Sequence, residues 1–302
     1  MSRLPEFPEF KHVDLEDRNI IQEILHSSYK PQTSEWTFTN LFIWRSHYNF
    51  QWSIYKDWLL VYCKEDDDIY MMQPIGPEGR NVLVDILFQW LKDEKGQAIP
   101  RIEKADKRFV SELFPSKHII IEPSRNHFDY VYLRENLVQL SGNRYRSKRN
   151  HINHLIRAYT FTYIELQEEH LKDCLLLQEK WCEMKRCKDD LNLMGEWEAV
   201  REILTNYHIL NLTGGVIMIE GRVEAFTIGE LLNENTAVVH IEKANPEIPG
   251  LYPMINQQFC EKSLHNVTYV NREQDLGIDG LREAKLSYYP DHFEEKYQIR
   301  MV

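Results

Sequence analysis

The chain has 302 residues, 43% hydrophobic and 27% charged, which is enough for two cores and excludes wholesale disorder. A formal net charge of −11 repels phosphate at long range, so DNA and a general nucleic-acid coat are excluded as partners and any anion site has to be local. The N-terminal MSRLPEFPEFKHVDLEDRN lacks an apolar signal core and no run of about 18 apolar residues occurs, so no integral membrane segment is expected. Cys63, Cys174, Cys182, Cys187 and Cys260 form no CxxC pair and leave an odd count, which points to a reducing compartment and a cytoplasmic protein.

Taken in order, Asp17 to Ser27 carries Ile20, Ile21, Ile24 and Leu25 at helical spacing. Ser34 is placed to cap a second helix with Phe38, Leu41, Phe42 and Arg45 on one side. The period then changes: Phe50 to Tyr55, Trp58 to Cys63 and Ile69 to Gln73 read as an antiparallel meander. Pro74, Gly76, Pro77 and Gly79 end it, Asn81 to Lys92 returns to helical spacing, and Lys117 to Glu122 offers one more strand.

From Asn136 to Ile164 there is no acid, while Arg144, Arg146, Lys148, Arg149 and Arg157 fall within the stretch. This asymmetry places a domain boundary near Asn136, giving domains 1–135 and 136–302. The second half repeats the order of the first. Stripes through Leu171 to Cys182 and Trp197 to Tyr207 predict two helices, and Val216 to Ile219, Val223 to Leu231 and Thr236 to Glu242 predict a meander. A helix after Gly250 and the strand Val267 to Val270 follow. Both halves read helix, helix, three strands, helix, strand, so the expected fold class is α+β, two similar domains each with a mixed sheet flanked by helices.

The chemistry concentrates near the end, in YVNREQDLGIDGLREAKLSYYP from Tyr269 to Pro290. If the strand runs on through them, Glu273 and Asp275 share one face at a strand mouth, where α/β folds place ligands. On a helix from about Ile278, Arg282, Lys285 and Tyr289 share a face with Tyr288 at its flank, able to hold an anion and relay a proton. A solvated charged helix is the competing reading. Asn271 and Gln274 add amides that serve either a ligand or a turn. Arg146, Lys148 and Arg149 suit a phosphate-bearing group or a charged surface helix equally. His151 and His154 lack the acids or cysteines that would complete a metal set, so no metal is expected. Glu242 is a candidate general base, or a surface ion pair with Lys243. There is no P-loop, GxGxxG or GxSxG pattern.

NREQDLGIDGLREAKLSYYP and LSGNRYRSKRNHINHL resemble the C-terminal domain of bacterial phosphatidylglycerol lysyltransferases and the related DUF2156 proteins, and SEWTFTNLFIWR is similar to the first half of the soluble relatives. The resemblance implies tandem GNAT-like (acyl-CoA N-acyltransferase-like) domains akin to the Fem family, which uses aminoacyl-tRNA. It implies an aminoacyl or acyl transferase, with aminoacyl-tRNA as donor and an amine, hydroxyl or lipid head group as acceptor. A non-catalytic binding protein and a CoA-dependent N-acetyltransferase are the alternatives. KANPEIPGLYP stands where acetyltransferases of this fold carry a Gly-rich pyrophosphate loop, so acyl-CoA is the less favoured donor and no resident cofactor is expected. Carried over by motif position, Asp275, Lys285, Tyr288 and Glu273 form the catalytic set, and Asn271, Arg282, Lys148, Arg149 and Arg146 bind substrate.

Overall fold

In a computed structural model, which describes residues 4–65, 68–113 and 118–301, the chain runs β1 (Lys11–His12), α1 (Arg18–Ile24), α2 (Phe38–Ile43), α3 (Arg45–Tyr48), β2 (Gln51–Tyr55), β3 (Trp58–Glu65), β4 (Asp68–Met72), α4 (Leu83–Asp93), β5 (Arg101–Asp106), α5 (Lys107–Glu112) and β6 (Ile119–Pro123). It continues through β7 (Asp129–Leu133), α6 (Arg134–Gln139), α7 (Arg146–Ala158), β8 (Phe161–Glu165), α8 (Glu168–Lys185), α9 (Leu191–Thr205), α10 (Tyr207–Leu210), β9 (Thr213–Ile219), β10 (Arg222–Asn233) and β11 (Thr236–Ala244). Last come α11 (Leu251–Lys262), β12 (Tyr269–Asn271), α12 (Asp279–Leu286), β13 (His292–Glu294) and β14 (Lys296–Met301).

Two compact units result: Met1–Asp129 with Gln274–Asp279 and Phe293–Val302, and Tyr130–Glu273 with Gly280–His292. A single boundary near Asn136 does not describe this partition, because strand pairing returns the chain to earlier sheets. In the first unit the order is β1-β2-β3-β4-β5-β14-β6, so the C-terminal strand lies between two strands made almost two hundred residues earlier. The expected strand after α4 is β5, which runs parallel to β4 through Met71↔Ile102. The sequence reading put that strand at Lys117 to Glu122; the described part of that stretch is β6, and Lys117 lies outside the described residues.

Helical spacing in α4 buries Leu83, Val84, Leu87, Phe88 and Leu91 against Leu60, Met71, Ile102 and Ile299 from the sheet. The cap of α2 is Thr37, whose hydroxyl accepts from the Asn40 amide at 3.0 Å. Ser34, expected in that role, instead donates from its amide to Asp129 at 2.7 Å.

The second sheet has the order β13-β7-β12-β11-β10-β9-β8. Strands β9, β10 and β11 form the expected antiparallel meander, and β12 pairs parallel with β11. The first sheet repeats this order, with β2, β3 and β4 antiparallel and β5 parallel to β4.

Two irregularities set the chemistry of the second sheet. Ile228 pairs with Ile241 and Gly229 with Val239, leaving His240 as the extra residue of a β-bulge. Glycine is required opposite it, since a Cβ on Gly229 would stand 2.3 Å from the Val238 carbonyl oxygen. Secondly, β12 pairs with β11 only through Thr236↔Tyr269, Ala237↔Val270 and Val238↔Asn271. Beyond these residues the two strands part and side chains fill the opening.

Candidate functional site

Glu242 lies on β11 past the point where β12 leaves it, and Arg272 follows the last residue of β12. The guanidinium Nη2 donates to Glu242 Oε1 at 3.0 Å. From α11, Asn256 Nδ2 donates to Glu242 Oε2 at 3.1 Å. Both carboxylate oxygens are thereby committed. Each partner keeps one buried polar atom without a hydrogen bond, a donor at Arg272 Nη1 and an acceptor at Asn256 Oδ1. Unpartnered groups of this kind each carry a desolvation penalty of about 1–3 kcal/mol, so a donor and an acceptor left on the two partners of one carboxylate mark a place for a ligand or water.

Aromatic rings close the opening. Tyr288 is buried, with the Arg272 guanidinium 4.8 Å from its ring centre and the Lys148 ammonium, from α7, 4.0 Å from it. Tyr145 holds this segment by donating to the Tyr288 carbonyl at 3.0 Å, and Tyr132 donates to the Lys285 carbonyl at 2.8 Å.

Charge follows from these contacts. Burial, followed by the Arg272 cation, pushes Lys148 down to about 8, with Glu242 opposing. Burial also opposes the charge on Arg272, yet Glu242 leads a set of neighbours that outweighs it, and the guanidinium ends above its ordinary value. Burial raises the Tyr288 phenol, against the pull of Arg272. Two cations and one carboxylate therefore meet around one phenol.

Three of the expected residues, Lys148, Lys285 and Tyr288, come together around Arg272. Lys285 is buried and its ammonium donates to the Arg272 carbonyl, so it fixes the end of β12 and does not stand on an open cationic face. Tyr289 does not share its face: it lies beyond α12 at φ 55, exposed and edge-on to Tyr145. Arg282 is half-buried on α12. Asn271 is fully buried and accepts the Glu273 amide at 2.8 Å.

The strand stops at Asn271, so the shared strand face expected for Glu273 and Asp275 does not form. Glu273 adopts φ 56, and its Oε1 lies 2.9 Å from His240 Nδ1. His240 Nε2 meets Glu230 Oε1 at 2.9 Å. Burial alone would lower the imidazole, but its hydrogen bonds to the Glu230 and Glu273 carboxylates raise it to about 9. Asp275 is fully buried in the first unit, where it accepts from Arg125 Nη1 at 3.1 Å and from the Gly277 amide at 2.8 Å.

Arg149 donates to the carbonyls of Leu140 and Gly142, the latter at 2.6 Å, and so closes the end of α6. Arg146 is exposed on the first turn of α7. Among the described residues no group of three metal-ligating side chains occurs, and no helix is long and apolar enough to cross a membrane.

The sequence leaves Arg272 and Asn256 without a role and offers Glu242 as either a general base or an ion-pair partner of Lys243. In the fold, Lys243 pairs with Glu196 at 2.8 Å on the opposite face of β11. Strand alternation was the available signal, since neighbouring residues on one strand point to opposite faces. The cysteine reading also changes: Cys182 and Cys187 are joined by a disulfide, brought together where α8 ends at a left-handed Arg186.

Residues 26–300 match the family model described as phosphatidylglycerol lysyltransferase, C-terminal. The chain belongs to that family. Two solved structures and one further protein are similar to it. A conserved protein of unknown function from Bacteroides thetaiotaomicron is 32% identical, with a TM-score of 0.89 over 99% of this chain and 100% of the other. L-PGS from Bacillus licheniformis shares 14% identity at a TM-score of 0.64, covering 99% of this chain and 93% of that one, a likeness of fold. An uncharacterised protein of Mycoplasmoides gallisepticum is 24% identical over 186 residues, 61% of this chain and 58% of that relative's length. The fold is α+β, with two mixed sheets flanked by helices.

Proposed function

We propose that this chain is an aminoacyl transferase that takes the aminoacyl group of an aminoacyl-tRNA and passes it to an amine or hydroxyl acceptor, a lipid head group or a small molecule. The observation that carries this reading is the unpartnered pair in the β11/β12 opening, one donor on Arg272 and one acceptor on Asn256, both tied to Glu242. An α-aminoacyl ester has the matching pair, a carbonyl oxygen to accept from Arg272 Nη1 and an α-amine to donate to Asn256 Oδ1. Glu242 offsets the charge of that amine, and Arg272 offsets the negative charge that grows on the carbonyl oxygen during attack.

Lys148 supplies the proton chemistry. With a pKa near 8, a sizeable fraction is neutral at physiological pH and able to take a proton from the attacking amine or hydroxyl. The acceptor atom bonds to the carbonyl carbon, the ester bond to the ribose breaks, and the ribose oxygen takes up the proton. Lys285, Glu273 and Asn271 hold Arg272 in place, Tyr288 walls the site, and Arg146 and Arg282 contact donor phosphates. The scheme needs no resident cofactor or metal.

Incubating the purified chain with tRNAs carrying labelled amino acids, together with lipid vesicles or small amines, tests the reading. Tight binding of aminoacyl-tRNA without transfer to either acceptor class replaces it with a binding protein. Transfer from acyl-CoA alone replaces the donor.

A further inference from the structure

On the face of β11 opposite Glu242, two helices hold one buried lysine. Lys243 is 3% exposed, its ammonium sits 3.5 Å from the ring centre of Trp181 on α8, and it pairs with Glu196 of α9 at 2.8 Å. Trp181 is in turn fixed by donating from Nε1 to the Tyr252 hydroxyl at 3.1 Å. The residue after Trp181 is Cys182, and the disulfide to Cys187 closes the corner through which α8 passes into α9. The bond thus ties the last turn of α8 to the short 3-10 turn Cys187–Asp189 that leads into α9, between the two helices that clamp Lys243, and Lys243 is the backbone neighbour of Glu242.

This corner is also where the redox chemistry of the chain is concentrated. Cys63, Cys174 and Cys260 are free and buried. Burial pushes Cys63 and Cys260 up to about 12 and raises Cys174 as well, so their thiolates are scarce. Cys182, by contrast, is half-buried and open to attack, and exposed Lys185 and Arg186 precede Cys187 in the sequence. Neighbouring cations favour the thiolate and hence exchange.

We propose that Cys182 and Cys187 form a reversible thiol–disulfide pair that accepts electrons from a dithiol reductant and, through Trp181 and Glu196, sets the position of Lys243 and of Glu242 beside it. A reductant thiolate attacks Cys182 Sγ, the bond to Cys187 breaks, and Cys187 Sγ leaves as a thiolate and takes a proton. The second thiol of the reductant then attacks the mixed disulfide, releases Cys182 as a thiol and leaves the reductant as a disulfide. Two electrons and two protons have entered the chain. Reduction frees the α8–α9 corner, loosens the clamp on Lys243 and lets the end of β11 move.

The test uses the full chain purified without reductant. Alkylation after denaturation is expected to find three thiols, rising to five after dithiothreitol and returning to three when oxidised glutathione replaces it. Backbone amides of residues 240–244 are expected to exchange on the order of tenfold faster in the reduced chain, and a C182S/C187S variant should match the reduced form. Five thiols under every oxidant overturn the proposal. So does a bond that forms and breaks while exchange at residues 240–244 changes by less than about twofold. Neither readout depends on transfer activity, so the result stands apart from the assignment of the site.

Discussion

Arg272 Nη2 meets Glu242 Oε1 at 3.0 Å across the gap where β12 leaves β11, and both side chains are largely buried. An ion pair in that position contributes little net stability as a pair, but removing one partner strands the other in low dielectric, typically by about 3–5 kcal/mol. R272M and E242Q are each expected to lower unfolding free energy by about 3 kcal/mol in urea titrations. The double variant should lose less than the sum of the two. Strict additivity in that cycle shows that the two side chains do not interact.

Lys148 gives the site a pH signature. If its neutral amine is the proton acceptor, the transfer rate climbs as pH rises through about 8 and levels above it. K148M should lower the rate by about 10²–10⁴-fold and remove this limb of the profile. The same group bears on stability: its folded pKa lies below its ordinary 10.5, so the unfolded chain binds more protons between these values and its contribution to stability rises with pH across that window. A rate profile unchanged in K148M assigns the limb to another group.

His240 works in the opposite direction. Its pKa rises from 6.5 to about 9 between Glu230 and Glu273, so its contribution is complete below about 6.5 and is lost as pH climbs through 9. Unfolding free energy should fall between about pH 6.5 and 8, below the window in which Lys148 opposes the fall. H240Q should flatten the fall, and NMR titration of the imidazole should report the raised value directly.

Gly229 tests the bulge. A Cβ there meets the Val238 carbonyl oxygen at 2.3 Å, a backbone atom with no freedom to move aside. G229A is expected to destabilise the chain by about 2 kcal/mol or more, read from the denaturation midpoint. A midpoint equal to that of the parent chain shows that the strand register adapts.

The meanders, the principal helices and their repetition were legible because period 2 and period 3.6 patterns are local. Strands β5, β7 and β14 were not, and their partners explain why. Each of β7 and β14 is completed by a strand far along the chain, so neither Asp129 to Leu133 nor Lys296 to Met301 announces its place in a sheet. Within the candidate site, the motif NREQDLGIDGLREAKLSYYP supplies Arg272, Lys285 and Tyr288, in surroundings that its spacing does not show. Lys285 was read as a cation for a ligand, yet it is spent on a backbone carbonyl. Arg272 was quoted within the motif and left without a role, although its side chain reaches Glu242. Asn256 sits mid-helix among apolar residues, where only the fold brings an amide against that carboxylate. Cys182 and Cys187 are separated by a spacing with no familiar motif, and the left-handed turn at Arg186 makes the bond feasible.

Transfer of label from aminoacyl-tRNA is the most direct measurement of the whole account. The parent chain should move the labelled amino acid to a lipid head group or a small amine, and K148M and E242Q should bind the donor while transferring at least about a hundredfold more slowly. Label that stays on the tRNA with both acceptor classes, despite tight binding by the parent chain, contradicts the account.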